Sequence, residues 1–378
     1  MKLPYRAWAG STFLLVSIST LVVGCATTEV SQVRSASTEK IIGLVWTLER
    51  PGHWETPNAV VECPDGLQHT EKDNYYALEE SVREDLGNKF GHRWFRGPNG
   101  ENSSAVPWAI KDVLPFKEVQ SEVSFGFDLD GTQDGRQTPL TCGHQKFRDA
   151  AGDGLVDNQL YRVMGCTKGW RSTGAAAGYR MMEFPHYPQN RILIEISKVN
   201  NEMNDDLVEV VFYKGMDPLP KTADGQFLPG LSQRVDTRNP VIARTSGSIA
   251  EGVLSIEPVD LATFPYRWNT RTGTRDWYDM HFTLKLTDDG AVGLLGGYQD
   301  LENYWLMYRR GLAVSVDNSA WSPPSMYAAT VRLADGHRDP VTGQCTAISS
   351  ALKVEAVRAF IVHPPESFNA AQFTLRGY

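Results

Sequence analysis

The chain has 378 residues, of which 41% are hydrophobic and 10% aromatic, and its formal net charge is -8. This is the composition of a globular protein with enough apolar side chains for a sizeable core. The negative charge, with no basic run, argues against nucleic acid as a partner. No glycine-rich phosphate loop is present in the sequence, which argues against a nucleotide.

The first 25 residues have the pattern of an export signal. Lys2 and Arg6 precede an apolar segment over residues 11–23, and a small residue stands directly before Cys25. This pattern resembles the type II signal peptide of bacterial lipoproteins, which is removed before a cysteine that then carries lipid. The resemblance implies that residues 1–24 are a signal peptide and that Cys25 is lipidated. An uncleaved membrane anchor is the alternative, but the segment is short for a span of roughly 20 residues.

The segment that follows the cysteine is polar. Residues 25–40 are rich in Ser and Thr, which predicts a flexible tether between the lipid and the folded body. Ala26, rather than Asp, follows Cys25, and this resembles lipoproteins that reach the outer membrane. We therefore expect a lipid-anchored cell-envelope protein at the outer membrane, on its periplasmic face or at the cell surface. The lipid would be its contact with the membrane.

The folded body is predicted to have two parts. Residues 41–185 have a mixed pattern and predict a smaller α+β region. Within it, apolar residues three to four apart predict a helix over residues 75–86. Another helix is predicted over residues 157–166, because Leu160, Val163 and Met164 have the same spacing.

Aspartates and glycines are concentrated between residues 127 and 171. Carboxylates at short spacing beside glycine can converge on a hard cation such as Ca²⁺, which takes six to eight oxygens. The predicted ligands are Asp128, Asp130, Asp134, Asp153 and Asp157. The pattern is not an EF-hand, since its glycine and its final residue are out of place. Ordinary turn formation by Asp-Gly pairs is the alternative explanation.

Four cysteines remain after Cys25. In an oxidising compartment an even number favours disulfides, and four cysteines allow three pairings. We favour Cys142–Cys166, which would clamp the two ends of the acidic loop, with Cys63–Cys345 as the second bond. Zinc bound by Cys142, His144 and Cys166 is a weaker alternative, because a fourth ligand is missing from the cluster.

From residue 189 onward the hydrophobic period changes to two. Residues 191–199 and 207–213 predict paired strands, and Asp-Asp-Gly at 288–290 predicts a hairpin that joins residues 280–286 to residues 291–298. Further strands are predicted over residues 253–256, 326–333, 357–362 and 373–376. Many short strands without alternating long helices predict a mainly β protein, with an antiparallel β-sandwich or jelly roll over residues 186–378.

Aromatic residues are dense between residues 264 and 327. Such rings can stack on sugars, so the predicted ligand-binding residues are Trp268, Trp277, Trp305 and Trp321. Core packing is the alternative for many of these rings. It is favoured over residues 301–308, where the aromatic residues have helical spacing.

Catalytic signatures are scarce. The sequence has no Gly-x-Ser-x-Gly elbow and no His-Glu-x-x-His motif. Paired carboxylates of a carbohydrate-active hydrolase could still meet in space, and the candidates are Glu195, Glu209, Asp276 and Asp279.

Several short runs carry a second resemblance. Residues 96–102, 128–131, 157–162 and 345–349 look like runs in uncharacterised secreted proteins of Gram-negative bacteria, which implies no activity. The leading hypothesis is a lipoprotein with a Ca²⁺-supported β-sandwich that binds an extracellular ligand such as a glycan. A hydrolase and an assembly protein that contacts another envelope protein are the alternatives.

Overall fold

A computed structural model describes residues 39–90, 99–132, 134–174, 186–238, 241–268, 271–312 and 321–365. They belong to the unit Glu39–Tyr378. The predicted signal peptide, Cys25 and the strand predicted over residues 373–376 lie outside the described residues.

The described secondary structure is mainly β. The strands are β1 (Lys40–Pro51), β2 (Val123–Ser124), β3 (Phe147–Asp149), β4 (Leu155–Val156), β5 (Ile192–Val199), β6 (Asn204–Lys214), β7 (Leu231–Arg234), β8 (Val241–Ala250), β9 (Val253–Ile256), β10 (Val259–Trp268), β11 (Arg271–Leu286), β12 (Gly290–Asp300), β13 (Gly336–Arg338) and β14 (Cys345–Val362). The α-helices are α1 (Glu71–Ala77), α2 (Glu80–Phe90), α3 (Gln159–Met164), α4 (Leu301–Leu312) and α5 (Pro323–Arg332). Short 3-10 turns lie at Pro57–Ala59, Pro107–Ala109, Lys168–Trp170 and Pro188–Asn190.

Eight of the strands form a closed antiparallel barrel. Their order is β1–β5–β6–β8–β9–β11–β12–β14, and β14 pairs again with β1. Leu44 in β1 lies opposite Ile194 of β5 on one side and Arg358 of β14 on the other. The mainly β prediction is confirmed, but the predicted sandwich or jelly roll is wrong. The reason is β1, which lies between β5 and β14 and joins two edges that a sandwich would leave apart.

The strands next to the barrel extend it. β10 pairs with the first part of β11, while β9 pairs with the last part, so β9 and β10 act as one interrupted strand. β13 pairs with β14, and β7 adds to β14 in parallel.

Aromatic side chains fill the barrel. The largest of them, Trp46, Phe212, Phe264, Trp277 and Phe282, are at most 1% exposed. The ring of Phe212 meets those of Phe264 and Phe282 edge-on, at centroid distances of 6.0 Å and 5.2 Å. Alternation along each strand directs every second residue inward, and a barrel of eight strands is narrow enough for these side chains to close it. The interior is therefore a packed core.

Most of the predicted β pairings are present. Residues 191–199 and 207–213 lie in β5 and β6, with Glu195 opposite Val211. The turn at 288–290 joins β11 to β12, with Leu286 opposite Ala291. The strands predicted over residues 253–256 and 357–362 correspond to β9 and the end of β14.

Two predicted elements differ. Residues 326–332 of the strand predicted over residues 326–333 lie in helix α5 instead, because Pro323 and Pro324 occupy its first turn, where proline costs no hydrogen bond. The helix predicted over residues 75–86 is divided at Leu78, whose ψ of 154° is extended and ends α1 before α2 begins.

A second core covers one end of β14. It is formed by α3, α4 and α5 and includes Leu160, Val163, Met164, Trp170, Tyr304, Trp305, Trp321, Met326, Ala329, Leu333 and Ile348. The helix predicted over residues 157–166 is present as α3, and the Asn158 side chain accepts a hydrogen bond from the Tyr161 N–H at its start. The helical packing expected over residues 301–308 is present in α4.

Both disulfides form, but the predicted pairing is wrong. Cys63 is bonded to Cys166 and Cys142 to Cys345. The first bond fixes the end of α3 to the segment after β1, and the second fixes the acidic region to β14. Spacing along the chain favoured the near pair, but the fold brings each cysteine beside a distant partner.

Candidate functional site

Three of the five predicted calcium ligands lie together. Asp128, Asp130 and Asp157 each offer an oxygen within 4.8 Å of the others, so this carboxylate triad could hold a metal ion. The other two do not join it. Asp134 forms an exposed ion pair with Arg136 at 2.5 Å, and Asp153 lies on the surface.

The ammonium of Lys146 lies among the three carboxylates. Its Nζ is 2.5 Å from Asp128 Oδ1, 2.6 Å from Asp130 Oδ1 and 3.1 Å from Asp157 Oδ2. The Lys146 side chain is 2% exposed, and an ammonium has three donors, one for each carboxylate. Within the described part of the chain, this lysine therefore stands where the sequence predicted a calcium ion.

The barrel wall positions the acidic loop. Phe127 stacks on His281 with ring centroids 5.3 Å apart, and its ring lies against Gly296 of β12, where any Cβ would collide with it. The Asp157 N–H donates to the Phe127 carbonyl at 2.8 Å, which brings the segment before α3 beside the loop. Asp157 Oδ2 also accepts from the Leu129 N–H at 2.9 Å.

Local turns hold the other two carboxylates. Asp128 Oδ1 accepts from the Gly131 N–H at 3.0 Å, and Asp130 Oδ1 accepts from both the N–H and the hydroxyl of Thr132 at 2.8 Å. These are turns that Asp commonly makes with the backbone two or three residues on. The turn interpretation of the Asp-Gly run is therefore confirmed for these residues, and the turns also aim the carboxylates at one point.

Burial and pairing shift the pKa values in the triad in opposite directions. Burial raises the pKa of Asp157 to about 6, against the attraction of Lys146. Burial also opposes the ionisation of Asp130, but hydrogen bonds from Lys146 and Thr132 outweigh it and lower the pKa of Asp130. For Lys146, burial disfavours the charge, yet hydrogen bonds to Asp128 and Asp130 raise its pKa above the usual value.

A fourth carboxylate lies behind the triad. Burial raises the pKa of Asp335 to about 8, although hydrogen bonds from Ser349 lower it in part, and the charge of Asp157 adds to the rise. The Ser349 N–H donates to Asp335 Oδ1 at 2.6 Å. Burial, with a smaller contribution from these acids, also raises the pKa of Tyr298. The centre thus combines one acid whose pKa is lowered, Asp130, with two whose pKa values are raised, Asp157 and Asp335.

The sequence alone did not identify Lys146 as a residue of the acidic centre. It lies in the loop between Cys142 and Phe147, and nothing in that spacing distinguishes it from a surface lysine. The zinc alternative is wrong, because Cys142 and Cys166 are each consumed in a disulfide with another partner.

The predicted aromatic ligand surface does not form as expected. Trp277 is inside the barrel at 0% exposure, and Trp305 and Trp321 are in the second core at 8% and 2%. The Trp268 side chain lies outside the part of the structure that is described. The core alternative is therefore confirmed for three of the four tryptophans.

A different tryptophan is exposed. Trp108 is 61% exposed and packs against Tyr327 with ring centroids 5.7 Å apart. Tyr327 in turn meets Trp305 at 5.3 Å, and Trp305 meets Trp321 at 6.2 Å. The two buried indoles thus support a row of rings that ends at the surface. We call Trp108 and Tyr327 the aromatic surface.

The segment that carries Trp108 is fixed to its neighbours. Asp112 accepts hydrogen bonds from the backbone N–H and the hydroxyl of Ser325, at the start of α5. The Leu114 N–H donates to Asn74 Oδ1 at 2.9 Å. The exposed indole is therefore presented by anchored backbone.

The candidate hydrolase carboxylates are each paired with a neighbour. Glu195 Oε2 is 2.7 Å from His363 Nε2, and Asp276 Oδ2 accepts from Asn303 at 2.7 Å. Glu209 pairs with Arg244 and Lys198, and Asp279 lies 3.7 Å from His337. Each of the four acids therefore has its own hydrogen-bonding or ionic partner.

No family model matches this chain, and comparison with curated proteins and with solved structures found no match either. The fold and the site define the chain as a mainly β protein that has a closed barrel and an acidic cluster centred on a lysine.

In the described ranges, none of the helices has the length and apolar character needed to span a bilayer.

Proposed function

We propose that this chain is a lipid-anchored protein of the bacterial cell envelope that binds an extracellular glycan without transforming it. The observation that carries the proposal is the aromatic surface, in which an indole that is 61% exposed packs on the partly buried Tyr327, whose ring in turn packs on the buried Trp305. Aromatic faces stack on the apolar faces of sugar rings, and a ring held by its neighbours loses little conformational entropy on binding.

The proposed location rests on two features. The start of the chain resembles a lipoprotein signal with Cys25 as the lipidated residue. The two disulfides support an oxidising compartment such as the periplasm or the cell surface. Metabolic labelling with a clickable fatty acid should mark the wild-type protein and leave a Cys25→Ser variant unlabelled.

Replacing Trp108 tests the ligand surface. We expect Trp108→Ala to weaken binding to a panel of soluble cello-, chito- and xylo-oligosaccharides by about 5- to 30-fold, since one stacked ring contributes roughly 1–2 kcal/mol. Trp54→Phe is the control, because Trp54 is only partly exposed and contacts a different cluster. Equal binding by wild type and Trp108→Ala would contradict the proposal.

The same assay separates the alternatives. Shortened oligosaccharides in the presence of wild-type protein would instead support the hydrolase. An envelope protein that is cross-linked to the wild type but not to Trp108→Ala, in the absence of glycan binding, would support an assembly role.

For the acidic centre, the Lys146 side chain takes the place in which Ca²⁺ was predicted. Calcium needs six to eight oxygens, whereas the triad supplies three carboxylates that already surround a cation. On this proposal, EDTA leaves the melting temperature of the wild type unchanged. A lower melting temperature in EDTA that is restored by added Ca²⁺ would favour a calcium site, because an ion that binds only the native state stabilises it.

A further inference from the structure

The lysine at the centre of the triad is a potential nucleophile that lies within reach of a carboxyl group. Its Nζ is 2.6 Å from Asp130 Oδ1, and the Lys146 and Asp130 side chains are 2% and 8% exposed. Amines attack carbonyl carbons when the atoms are held a little over 3 Å apart in a site without water.

We propose that Lys146 and Asp130 become joined by an amide bond between Lys146 Nζ and the Asp130 carboxyl carbon, formed by the folded chain itself with Asp157 carrying the proton. The inference goes beyond the proposed function and does not depend on it. It assigns to the ion-paired centre a covalent modification that braces the loop to the strand that follows Lys146.

Three observations select Asp130 as the partner. Asp130 is much less exposed than Asp128, whose side chain is 33% exposed, so water has less access to the bond. The two hydrogen bonds from Thr132 fix the orientation of Asp130 toward the lysine. Asp157 is the more distant of the three at 3.1 Å, and its Oδ2 is held by the Leu129 N–H.

Asp157 is suited to move the proton. Its carboxylate contacts Nζ, and its raised pKa of about 6 allows it to take up and release a proton near neutral pH. Lys146 is strongly held as an ammonium in this centre, so the transfer to Asp157 is the step that frees the amine. The bond therefore forms slowly and depends on Asp157.

The reaction is balanced without any other reagent. Asp157 accepts a proton from the ammonium and passes it to the Asp130 carboxylate, so that the neutral amine attacks the carbon of a neutral carboxyl group. The C–N bond forms and one C–O bond breaks, while two of the three ammonium protons leave with that oxygen as water. No atom is oxidised or reduced, and Asp157 returns to the protonation state in which it started. One positive and one negative charge disappear together, so the net charge of the centre does not change.

Peptide mass spectrometry of the full-length protein, reduced and digested with trypsin, tests the bond. We expect a branched peptide that joins residues 118–136 to residues 137–148, about 18 Da lighter than the sum of the two, because water has been lost. Fragmentation should place the link on Asp130. Wild-type protein that is folded by circular dichroism, and is cleaved after Lys146 with no branched peptide, would overturn the proposal.

Four variants make the test specific. Lys146→Arg keeps the positive charge and should give only linear peptides. Asp130→Asn should give a branched peptide about 17 Da lighter than its parts, since ammonia leaves instead of water. Asp157→Asn should lower the branched yield at least ~10-fold, as expected for loss of a general acid–base group. Asp134→Asn is the matched control, because Asp134 is exposed and outside the triad, and should keep the bond.

Each remaining outcome counts against the proposal. A link to Asp128 in the wild type would refute the choice of partner. An undiminished yield in folded Asp157→Asn protein would refute the proton carrier.

Discussion

Replacing Lys146 with methionine is the most direct perturbation of the acidic centre in its ion-paired form, in which Lys146 and Asp130 are not joined. Methionine keeps much of the volume and apolar length of the side chain but removes the group that contacts the carboxylates at 2.5, 2.6 and 3.1 Å. Removing one partner of a buried ion pair costs about 3–5 kcal/mol, because the remaining charge has lost both water and its counter-ion. Two of the three carboxylates are under one-tenth exposed, so we expect a loss in that range at pH 7.

The loss should depend on pH. Without the lysine, the clustered carboxylates can be accommodated only by taking up protons, so the folded-state pKa values of the triad rise above those of the unfolded chain. A raised folded-state pKa stabilises the fold at low pH and loses that effect as the pH rises. The difference between Lys146→Met and the wild type should therefore be smaller at pH 5 than at pH 7.5.

Urea unfolding followed by circular dichroism at these two pH values measures both effects, with wild-type protein that peptide mapping shows to be unlinked as the reference. Lys111→Met is the control, since Lys111 is an exposed lysine outside the triad. The double variant Lys146→Met with Asp130→Asn should recover part of the loss, because it removes one of the unpaired charges. A folded Lys146→Met protein within about 0.5 kcal/mol of the wild type at pH 7.5 would refute the reasoning, as that is the range of ordinary surface substitutions.

Three further predictions concern other parts of the fold. Burial raises the pKa of Asp335 to about 8, so this group contributes its full stabilisation only below the pKa that it has in the unfolded chain. The free energy of unfolding should therefore fall by about 1.4 kcal/mol per pH unit between roughly pH 5 and 8. Asp335→Asn should remove this pH dependence from the free energy measured by urea unfolding. Peptide mapping without reduction should find Cys142 linked to Cys345, and replacing both by serine should lower the unfolding free energy by about 3–5 kcal/mol, because the bond closes a loop with a sequence separation of 203 residues. Trp277→Ala should cost about 3–5 kcal/mol in the same assay, since it empties space inside the barrel; a loss below 1 kcal/mol would contradict the burial of this ring.

The presence of Lys146 among carboxylates that were predicted to bind calcium follows from the chemistry of carboxylates. Carboxylate oxygens that could coordinate a hard cation can also accept hydrogen bonds from an ammonium. An ammonium needs one acceptor for each of its three N–H groups, whereas a calcium ion needs six to eight oxygen ligands. The sequence pattern of the Asp-Gly loop is the same in both cases. The difference lies in whether a basic side chain from elsewhere reaches the same point.

Local patterns in the sequence were sufficient for much of the secondary structure. The alternation over residues 191–199 and the Asp-Asp-Gly turn at 288–290 predicted real strands and a real hairpin, because strand period and turn geometry depend on neighbouring residues. The start of α3 was predictable for the same reason. The strand predicted over residues 326–333 failed, since Pro323 and Pro324 favoured a helix start over the strand pattern.

What the sequence determined by itself is the mainly β composition, the paired strands, the use of all four described cysteines in disulfides and the convergence of part of the acidic loop. What only the tertiary structure decided is the closure of the sheet through β1, the partner of each cysteine, the burial of Trp277, Trp305 and Trp321, and the placement of Lys146. The physical reason is the distance along the chain over which each interaction acts. Strand period, turns and caps depend on residues a few positions apart. Barrel closure, disulfide pairing and ion pairing join groups that are far apart in the sequence, and sequence separation does not predict how close two such groups lie in space.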